Sequence, residues 1–456
     1  MTTRLMLALK NLGRNRRRNL ATASAIVLGY AGLILLSGFV TRIEKFFRAT
    51  SVYLNHVGSL SVYKPEGVDK HLLKPAKYSL SAEEQQKVRQ TMEKLFPQNE
   101  GIGASLQGFT LVGNGCKTWP VRISGFEKSL EEKLVKHWAV KKFAPELLNA
   151  RRGKGLWEFQ NIVPILVTEK VARNLGKETL NLDGSASSSG TQAAMIPECS
   201  APDFRSLSAS DPNVQLAGRT FQNNFSAIDA EIIGFYSSGL ELLEESAALL
   251  PLEALQKLYE TDAVTKMIVF LPWETPVEEN AKLLANALKN EGLDLEVHHF
   301  KEFAVNPFYA GFMNLIYVMS TFFLTLAVCV VTLTVSDTMT MSVLERSKEI
   351  GTLRAVGFKK KMISRMFSEE GTLLGLLSLP VGLLIAWLVA WALNRANILF
   401  EVPGISTKLE VVLEIDPVHC ALVGLLLVCV TTLSGWITSV RTSRREIVKL
   451  LQSHVS

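Results

Sequence analysis

The chain has 456 residues, 48% of them hydrophobic, and a mean hydropathy of +0.19, so part of its length is expected to face lipid. The formal net charge of +6 follows from the basic segments beside the apolar runs described below. It therefore does not indicate a nucleic-acid surface, and we expect no nucleic-acid partner.

Four uncharged apolar runs have the length of about 20 residues that a helix needs to cross a bilayer. They are Leu20–Val40, Phe308–Val335, Gly371–Leu393 and Val418–Val440. Buried helices of a large soluble core are the alternative for the last three, but each exceeds the roughly 10 to 14 residues typical of such helices. The sequence thus predicts four transmembrane helices in contact with membrane lipids.

The first run follows a basic segment and therefore also has the flank of a secretory signal. It is too long for one, and no small-x-small cleavage site closes it, so we expect it to be retained as an anchor. Lys and Arg cluster before this run, in Arg346–Arg365, and after the fourth run. Although Arg42, Lys45 and Arg48 oppose the trend, the distribution predicts that both termini lie in the cytoplasm.

The block between the first two runs, residues 41–307, is expected outside the cytoplasm. Helix Thr41–His56 extends the first span, and two strand–helix–strand units then frame the block. The first consists of Gly58–Tyr63, Ser81–Phe96 and Gly103–Val112, with Ser81 and Glu84 as a capping box. The second consists of Thr265–Leu271, Pro276–Glu291 and Leu293–His299. These units predict one α+β subdomain beside the membrane, formed by residues 57–114 and 263–300.

The middle of the block, residues 115–262, is predicted to form a second, inserted subdomain. Its expected strands are Trp119–Phe126, Ile162–Thr168 and Ala230–Tyr236, and its expected helices are Ser129–His137 and Thr168–Leu175. Segment Asp183–Phe225 has little periodicity and is expected to be a long exposed loop or a partly disordered insertion. Cys116 and Cys199 are the two cysteines outside the membrane, and both a disulfide and two free thiols are compatible with the sequence.

The fold class expected is an integral membrane α-helical protein with a large α+β extracytoplasmic domain of two subdomains inserted between the first two of four transmembrane helices. The remaining predicted parts are an amphipathic N-terminal helix (1–19), a cytoplasmic elbow (336–370), a short outer loop (394–417) and a cytoplasmic tail (441–456).

Motifs for catalysis are missing from the chain. It contains no G-x-x-x-x-G-K-[ST] phosphate loop, G-x-S-x-G, H-E-x-x-H or paired C-x-x-C. His298 and His299 are adjacent on a predicted strand and should point to opposite faces, which argues against a shared metal site. We expect no catalytic, cofactor or metal site in this chain, and ATP, if used, to be hydrolysed by a partner.

The most specific pattern lies in the cytoplasmic elbow. Nine of its residues are in register with the E-R-x-x-E-I-G-x-L-R-A-x-G signature of FtsX/MacB-type permeases (the type VII, mechanotransmission family, which includes lipoprotein-releasing permeases), and the chain resembles that family here. These residues are Glu345, Arg346, Glu349, Ile350, Gly351, Leu353, Arg354, Ala355 and Gly357. From the residues alone we expect Gly351 to cap or bend a first helix, and a short second helix, Thr352–Val356, to end at Gly357.

The resemblance implies a permease subunit that couples to a separate ABC ATPase through Glu345, Arg346, Glu349, Ile350, Gly351, Leu353, Arg354 and Gly357. It also implies a second permease copy, as a homodimer or related heterodimer, and leaves open a periplasmic adaptor or a lipoprotein carrier. No Asp, Glu, Lys or Arg interrupts the four runs, so we expect them to transmit motion to an outer domain rather than to form a polar conduction path.

Three functions stay open at this point. The first is extraction of a lipid-linked or amphipathic substrate such as a lipoprotein. The second is drug or peptide efflux, and the third is regulation of a cell-wall hydrolase without transport. A membrane-anchored hydrolase with a non-standard site is a fourth possibility from another class.

Overall fold

The computed structural model describes residues 16–159, 162–177, 180, 211–357 and 359–443. They form two compact units. The membrane unit consists of the described parts of Met1–Ile43, Asn314–Ile398 and Glu410–Ser456, and the outer unit consists of the described parts of Glu44–Met313 and Leu399–Leu409.

The described helices are α1 (Arg16–Ala49, continued by a π-helical turn, Thr50–Leu54), α2 (Gly67–Lys70), α3 (Pro75–Tyr78), α4 (Ala82–Leu95), α5 (Lys128–Val135), α6 (Trp138–Phe143), α7 (Pro145–Asn149), α8 (Glu169–Asn174), α9 (Glu241–Glu244), α10 (Leu252–Tyr259), α11 (Val277–Asn290), α12 (Pro307–Glu345), α13 (Ser347–Ala355), α14 (Lys360–Arg395) and α15 (Pro417–Ser443).

The described strands are β1 (Leu60–Tyr63), β2 (Gly101–Gly113), β3 (Thr118–Phe126), β4 (Arg152–Gly153), β5 (Pro164–Val167), β6 (Asn213–Arg219), β7 (Phe225–Phe235), β8 (Ala247–Pro251), β9 (Lys266–Phe270), β10 (Glu296–His299), β11 (Leu399–Phe400) and β12 (Leu409–Glu410).

Within the described part of the chain, four helices are long and apolar enough to cross a membrane, as the sequence predicted. They are Asn19–Leu54, Pro307–Glu345, Lys361–Arg395 and Pro417–Thr438. Each contains one of the apolar runs or nearly all of it, and each extends beyond a bilayer's thickness or matches it. The predicted helical continuation of the first span through Thr41–His56 is largely confirmed, since α1 and its π-helical turn run to Leu54.

The helices of the membrane unit pack closely through small residues. A Cβ atom at Gly371 would lie 2.8 Å from the carbonyl oxygen of Thr431, and one at Gly375 would lie 2.6 Å from the hydroxyl of the same residue. At Gly382 a Cβ would lie 3.1 Å from the Val27 carbonyl oxygen, and Ala386 is fully buried. Gly375, Gly382 and Ala386 therefore allow close contacts between these helices.

The outer unit is built on a ten-stranded sheet with the order β10-β1-β9-β2-β3-β8-β5-β7-β4, in which β6 pairs with both β2 and β7. The β3–β8 and β5–β7 pairs are parallel and the other described pairs are antiparallel. Strand β2 is 13 residues long and pairs with β9 over Gly101–Ser105 and with β3 over Ser105–Gly113. It thus joins strands assigned above to separate subdomains, and the predicted division into two subdomains is not confirmed.

The predicted strand–helix–strand units are present, with ends shifted by a few residues. At the start of α4 the Ser81 hydroxyl accepts a hydrogen bond from the Glu84 amide at 3.3 Å, and the Glu84 carboxylate accepts one from the Ser81 amide at 2.7 Å. This is the predicted capping box, and it satisfies amide groups that have no partner within the helix.

The predicted exposed loop Asp183–Phe225 needs a correction at its C-terminal end. Residues 213–219 form β6, which alternates buried Val214 and Leu216 with exposed Asn213 and Gln215, and pairs along its length with β7. Apolar residues at every second position are visible in the sequence here. Because the strand is short and follows a serine-rich segment, it was predicted as part of the loop. The part of the loop from 183 to 210, including Cys199, lies outside the described residues, whereas Cys116 is disulfide-bonded.

The loop between the last two spans contributes residues 399–409 to the outer unit. The Glu241 amide donates to the Gly404 carbonyl oxygen at 3.0 Å, and the Ser406 amide donates to the Gly239 carbonyl oxygen at 3.3 Å. This segment of the predicted outer loop 394–417 therefore folds together with the large block 44–313, as a loop on the same side of the membrane should.

Candidate functional site

The elbow between the second and third spans is made of the end of α12, helix α13 and the start of α14. The Ile350 amide donates to the Arg346 carbonyl oxygen at 2.9 Å, so helical bonding resumes immediately after α12 ends. Gly351 lies inside α13, so the prediction that it caps a helix is wrong. Likewise Thr352–Val356 is not a separate helix, because its first four residues belong to α13.

Helix α13 does end where the sequence predicted. Gly357 follows it with a φ of +102°, a backbone conformation that residues with a Cβ rarely adopt. The chain then turns into α14, where the Lys359 carbonyl oxygen accepts the first helical hydrogen bonds from Met362 and Ile363. Glycine at this position allows the sharp turn between α13 and α14.

One face of the elbow is buried inside the membrane unit. Met339, Val343, Arg346 and Ile350 recur at intervals of three and four residues, and all are at most 9% exposed. Val343 and Ile350 pack with Ile363 and Phe367 of α14 into one apolar cluster. This spacing is that of a single helical stripe, which holds the elbow against α14.

Arg346 lies at the polar end of this buried stripe. Its guanidinium is 3.5 Å from the carboxylate of Glu370 on α14, and the two side chains are only 11% and 6% exposed. The pair is thus an internal ion pair of the membrane unit. The side chains of Arg346 and Ile350 are both buried within the membrane unit. The family resemblance had instead assigned them to the surface that contacts the ATPase.

The opposite face of the elbow is exposed. Met341, Glu345, Glu349, Thr352 and Val356 follow one another at the same spacing of three or four residues, and each is exposed. We call these five residues the elbow surface. Val356 is 79% exposed and Met341 is 55% exposed, which is unusual for large apolar side chains outside a lipid-facing run.

The structure therefore separates the predicted site residues into two groups. Glu345 and Glu349 belong to the elbow surface, whereas Arg346 and Ile350 belong to the buried stripe. Gly351 and Gly357 contribute backbone, and the side chains of Leu353 and Arg354 lie outside the described residues. Sequence reasoning missed Met341, Val356 and Glu370, although the three-and-four spacing of the two faces was available to find the first two.

The described residues include no group of three or more His, Cys, Asp or Glu side chains that could hold a metal ion. His298 and His299 do not diverge as expected for adjacent strand residues, because both contact Glu302. Nδ1 of His298 is 2.6 Å from one oxygen of that carboxylate, and Nε2 of His299 is 3.3 Å from the other. Strand β10 ends at His299, so the ring of the last residue is free to turn toward the following loop.

Comparison with known proteins identifies the region that contains the elbow. Residues 317–447 match the family model described as FtsX-like permease C-terminal. The ABC transporter permease YtrF of Bacillus subtilis (strain 168) is 32% identical over 119 residues, which are 26% of this chain and 26% of that protein. The chain thus matches about a quarter of that relative's length. The resemblance to FtsX-type permeases is confirmed.

A solved structure matches the chain more weakly. It is the extracellular domain of the noncanonic ABC-type transporter YknZ from Gram-positive bacteria, with 14% identity and a TM-score of 0.27, covering 53% of this chain and 98% of that one. A TM-score of this size carries no weight for fold or function.

Proposed function

We propose, because residues 317–447 carry an FtsX-like permease C-terminal domain, that this chain is the permease subunit of an ABC transporter and depends on a separate ATPase. We place its homodimer, or a heterodimer with a related permease, in the bacterial inner membrane with both termini in the cytoplasm. ATP would be bound and hydrolysed by the partner.

The elbow surface is the observation that carries this proposal. A surface helix normally covers its apolar residues, yet Val356 and Met341 are exposed beside the two acidic residues Glu345 and Glu349. Methionine is enriched in protein–protein interfaces, and charged residues such as Glu345 and Glu349 are typical of the rim of an interface. The buried stripe beneath it fixes the elbow to α14, so force applied at the elbow surface would reach the third span.

The substrate would be handled outside the cytoplasm. The chain passes from one unit to the other inside helices, at Ile43–Glu44 within α1 and at Met313–Asn314 within α12. A continuous helix transmits displacement better than a flexible loop, which supports mechanical transmission from the elbow to the outer unit. Together with uncharged spans, this favours extraction of a lipid-linked or amphipathic substrate such as a lipoprotein over conduction through the bilayer.

The elbow assignment is tested by changing the elbow surface while leaving the buried stripe intact. Glu349→Lys and Val356→Asp should each lower ATPase turnover stimulated by the permease, and co-purification with the partner ATPase, by at least about tenfold, the effect of an interface hot spot. The matched control is Glu279→Lys, the same charge reversal at an exposed position of α11 in the outer unit. Normal coupling in both elbow variants, or equal loss in the control, would refute the assignment.

A further inference from the structure

The outer unit contains a cavity of about 450 Å³ on one face of its sheet. Its floor is formed by side chains of central strands, namely Ser105 and Gln107 of β2, Arg122 and Ser124 of β3, and Lys266 of β9. Its size is within the range of about 300–1,000 Å³ of small-molecule sites.

The strand periodicity explains why this floor is polar. Successive side chains of a strand point to opposite faces, and Leu106, Val121 and Ile123 point into the apolar core on the other side of the sheet. A fully apolar floor would be expected if helices simply covered both faces. Here the alternate positions of two neighbouring central strands carry Gln107 and Arg122 instead, and the Arg122 guanidinium donates to the Gln107 side-chain oxygen at 3.3 Å.

Lys266 is the most deeply buried charge of the cavity, at 2% exposure. Its ammonium donates to the His56 carbonyl oxygen at 2.7 Å, which is a neutral partner. Neither Lys266 nor the partly buried Arg122 has a carboxylate within ion-pair distance among the residues that the structure describes. The one acidic residue lining the cavity, Asp69, is exposed and forms no ion pair with either.

The environment of the cavity is correspondingly electropositive. Burial, followed by the charge of Arg122, lowers the pKa of Lys266 to about 7, and burial lowers the pKa of Arg122 as well. Burial and, among other causes, the nearby cations Arg122 and Lys266 also lower the pKa of His71. A buried cation without an acidic partner lowers the free energy of unfolding. A fold that retains two such cations around one cavity is therefore suited to bind an anion there.

His71 adds an unused hydrogen-bond acceptor. Its Nδ1 lies 2.8 Å from the Gly67 carbonyl oxygen and must donate to it, which leaves Nε2 of the neutral ring as an acceptor. That Nε2 atom is buried and has no hydrogen-bond partner among the described residues. It could accept a hydrogen bond from a hydroxyl group of a ligand.

The rest of the cavity wall is apolar. Leu54, Val57, Leu72, Leu243 and Phe308 line it, and they come from the π-helical turn, two loops, α9 and the start of α12. These side chains are suited to a hydrocarbon body rather than to a second charge.

We propose that this cavity binds an amphipathic anion, with one phosphate or carboxylate group held by Lys266 and Arg122 and a short hydrocarbon body against Leu54, Leu72 and Phe308. The proposal concerns binding alone and does not rest on the function of the chain as an ABC permease.

The test measures binding to the full chain in phosphatidylcholine nanodiscs by calorimetry at pH 6.5. Hexyl phosphate should bind, inorganic phosphate should bind at least about tenfold more weakly, and hexanol should not bind, because the anion and the apolar body are both needed. A lysophosphatidate arm distinguishes the source of the ligand: tighter binding than hexyl phosphate indicates a lipid headgroup, and weaker binding indicates a soluble anion. Equal binding of hexyl phosphate and inorganic phosphate would overturn the amphipathic part of the proposal.

Lys266→Met and Arg122→Met should each weaken hexyl phosphate binding at least about tenfold, since each removes one cation and keeps the length of the side chain. Lys301→Met is the matched control, because Lys301 pairs with Glu278 on the surface of the same unit, and its binding should equal that of the wild type. Wild-type affinity in both cavity variants, or no binding of hexyl phosphate by the wild type, would overturn the proposal.

Stability separates a ligand site from a structural role of the same residues. Without ligand, Lys266→Met should unfold at the same or a higher denaturant concentration than the wild type, because it removes a buried cation that has no acidic partner. If both cavity variants fail to fold, or both lose stability without ligand, the cations serve the fold and the binding proposal is wrong.

Discussion

The elbow and the cavity of the outer unit bury positive charge in opposite ways. Arg346 in the elbow faces Glu370, whereas Lys266 and Arg122 in the cavity face neutral oxygen atoms. A buried ion pair is complete within the chain, and its partners stabilise a defined geometry. Buried cations without acidic partners have no counter-ion within the chain. They indicate where an anion from another molecule is expected to bind. The same residue types therefore have a structural role in one region and a binding role in the other.

The largest effect that would test this contrast is expected at Glu370. Glu370→Gln leaves Arg346 buried without a counter-ion, and removal of one partner of a buried pair costs about 3 kcal/mol or more. The free energy of unfolding of the chain in mixed micelles, followed by tryptophan fluorescence, should fall by that amount. The double variant Arg346→Met/Glu370→Met should recover at least half of the loss. A drop of under about 1 kcal/mol in the single variant would show that the pair is not structural.

An effect of intermediate size is expected on the pH dependence of the free energy of unfolding, through Lys266 in the cavity. Folded Lys266 has a pKa of about 7, whereas in the unfolded chain it keeps its proton to about pH 10. The unfolded state therefore binds more protons above pH 7, and stability should rise with pH, by about 1 kcal/mol between pH 7 and 8. Denaturant unfolding at pH 6.5, 7, 7.5 and 8 measures this increase, which Lys266→Met should lack.

The other charged groups around Lys266 do not produce the same signal. Arg122 stays protonated, and burial raises the pKa of Tyr63 and Tyr236 further above this range. Burial lowers the pKa of His71, so that ring titrates below the window. An equal pH dependence in the wild type and in Lys266→Met would contradict the assignment to this lysine.

The smallest effect is expected at Glu369, the neighbour of Glu370. Its carboxylate is 3.1 Å from Arg365, but this pair is exposed, with the arginine side chain 71% accessible. Exposed pairs contribute about 0.5 kcal/mol or less because water and salt screen them. Glu369→Gln should thus change the free energy of unfolding by less than about 0.5 kcal/mol in the assay used for Glu370→Gln. A loss comparable to that of Glu370→Gln would mean that any charge change in this turn is disruptive.

Much of the fold could be predicted from the sequence because its signals are local. The four spans follow from apolar length, and the capping box at Ser81 and the end of α13 at Gly357 follow from single residues. Seven strands of the outer unit followed from short apolar runs, with most ends correct to a few residues, whereas β6 and β8 were not predicted. The single sheet could not be predicted, because its continuity depends on β2 pairing with strands more than a hundred residues away.

The candidate site was predictable only in part. The nine-residue signature located the elbow, but it could not say which residues face outward. Arg346 and Glu349 are only three residues apart, yet one packs on α14 and the other is exposed, since that division depends on where α14 lies. No sequence pattern predicted the cavity, because Lys266 and Arg122 are single charges inside segments with the pattern of ordinary strands.

The sequence by itself determined four helices of membrane-spanning length, a large block between the first two of them, and an elbow that resembles that of FtsX-type permeases. Those features depend on the composition and order of neighbouring residues, so hydropathy and a short motif are sufficient. Only the tertiary structure decided which charges are paired and which are left facing a cavity. Pairing depends on distances between strands and helices far apart in the chain, and no local pattern records them.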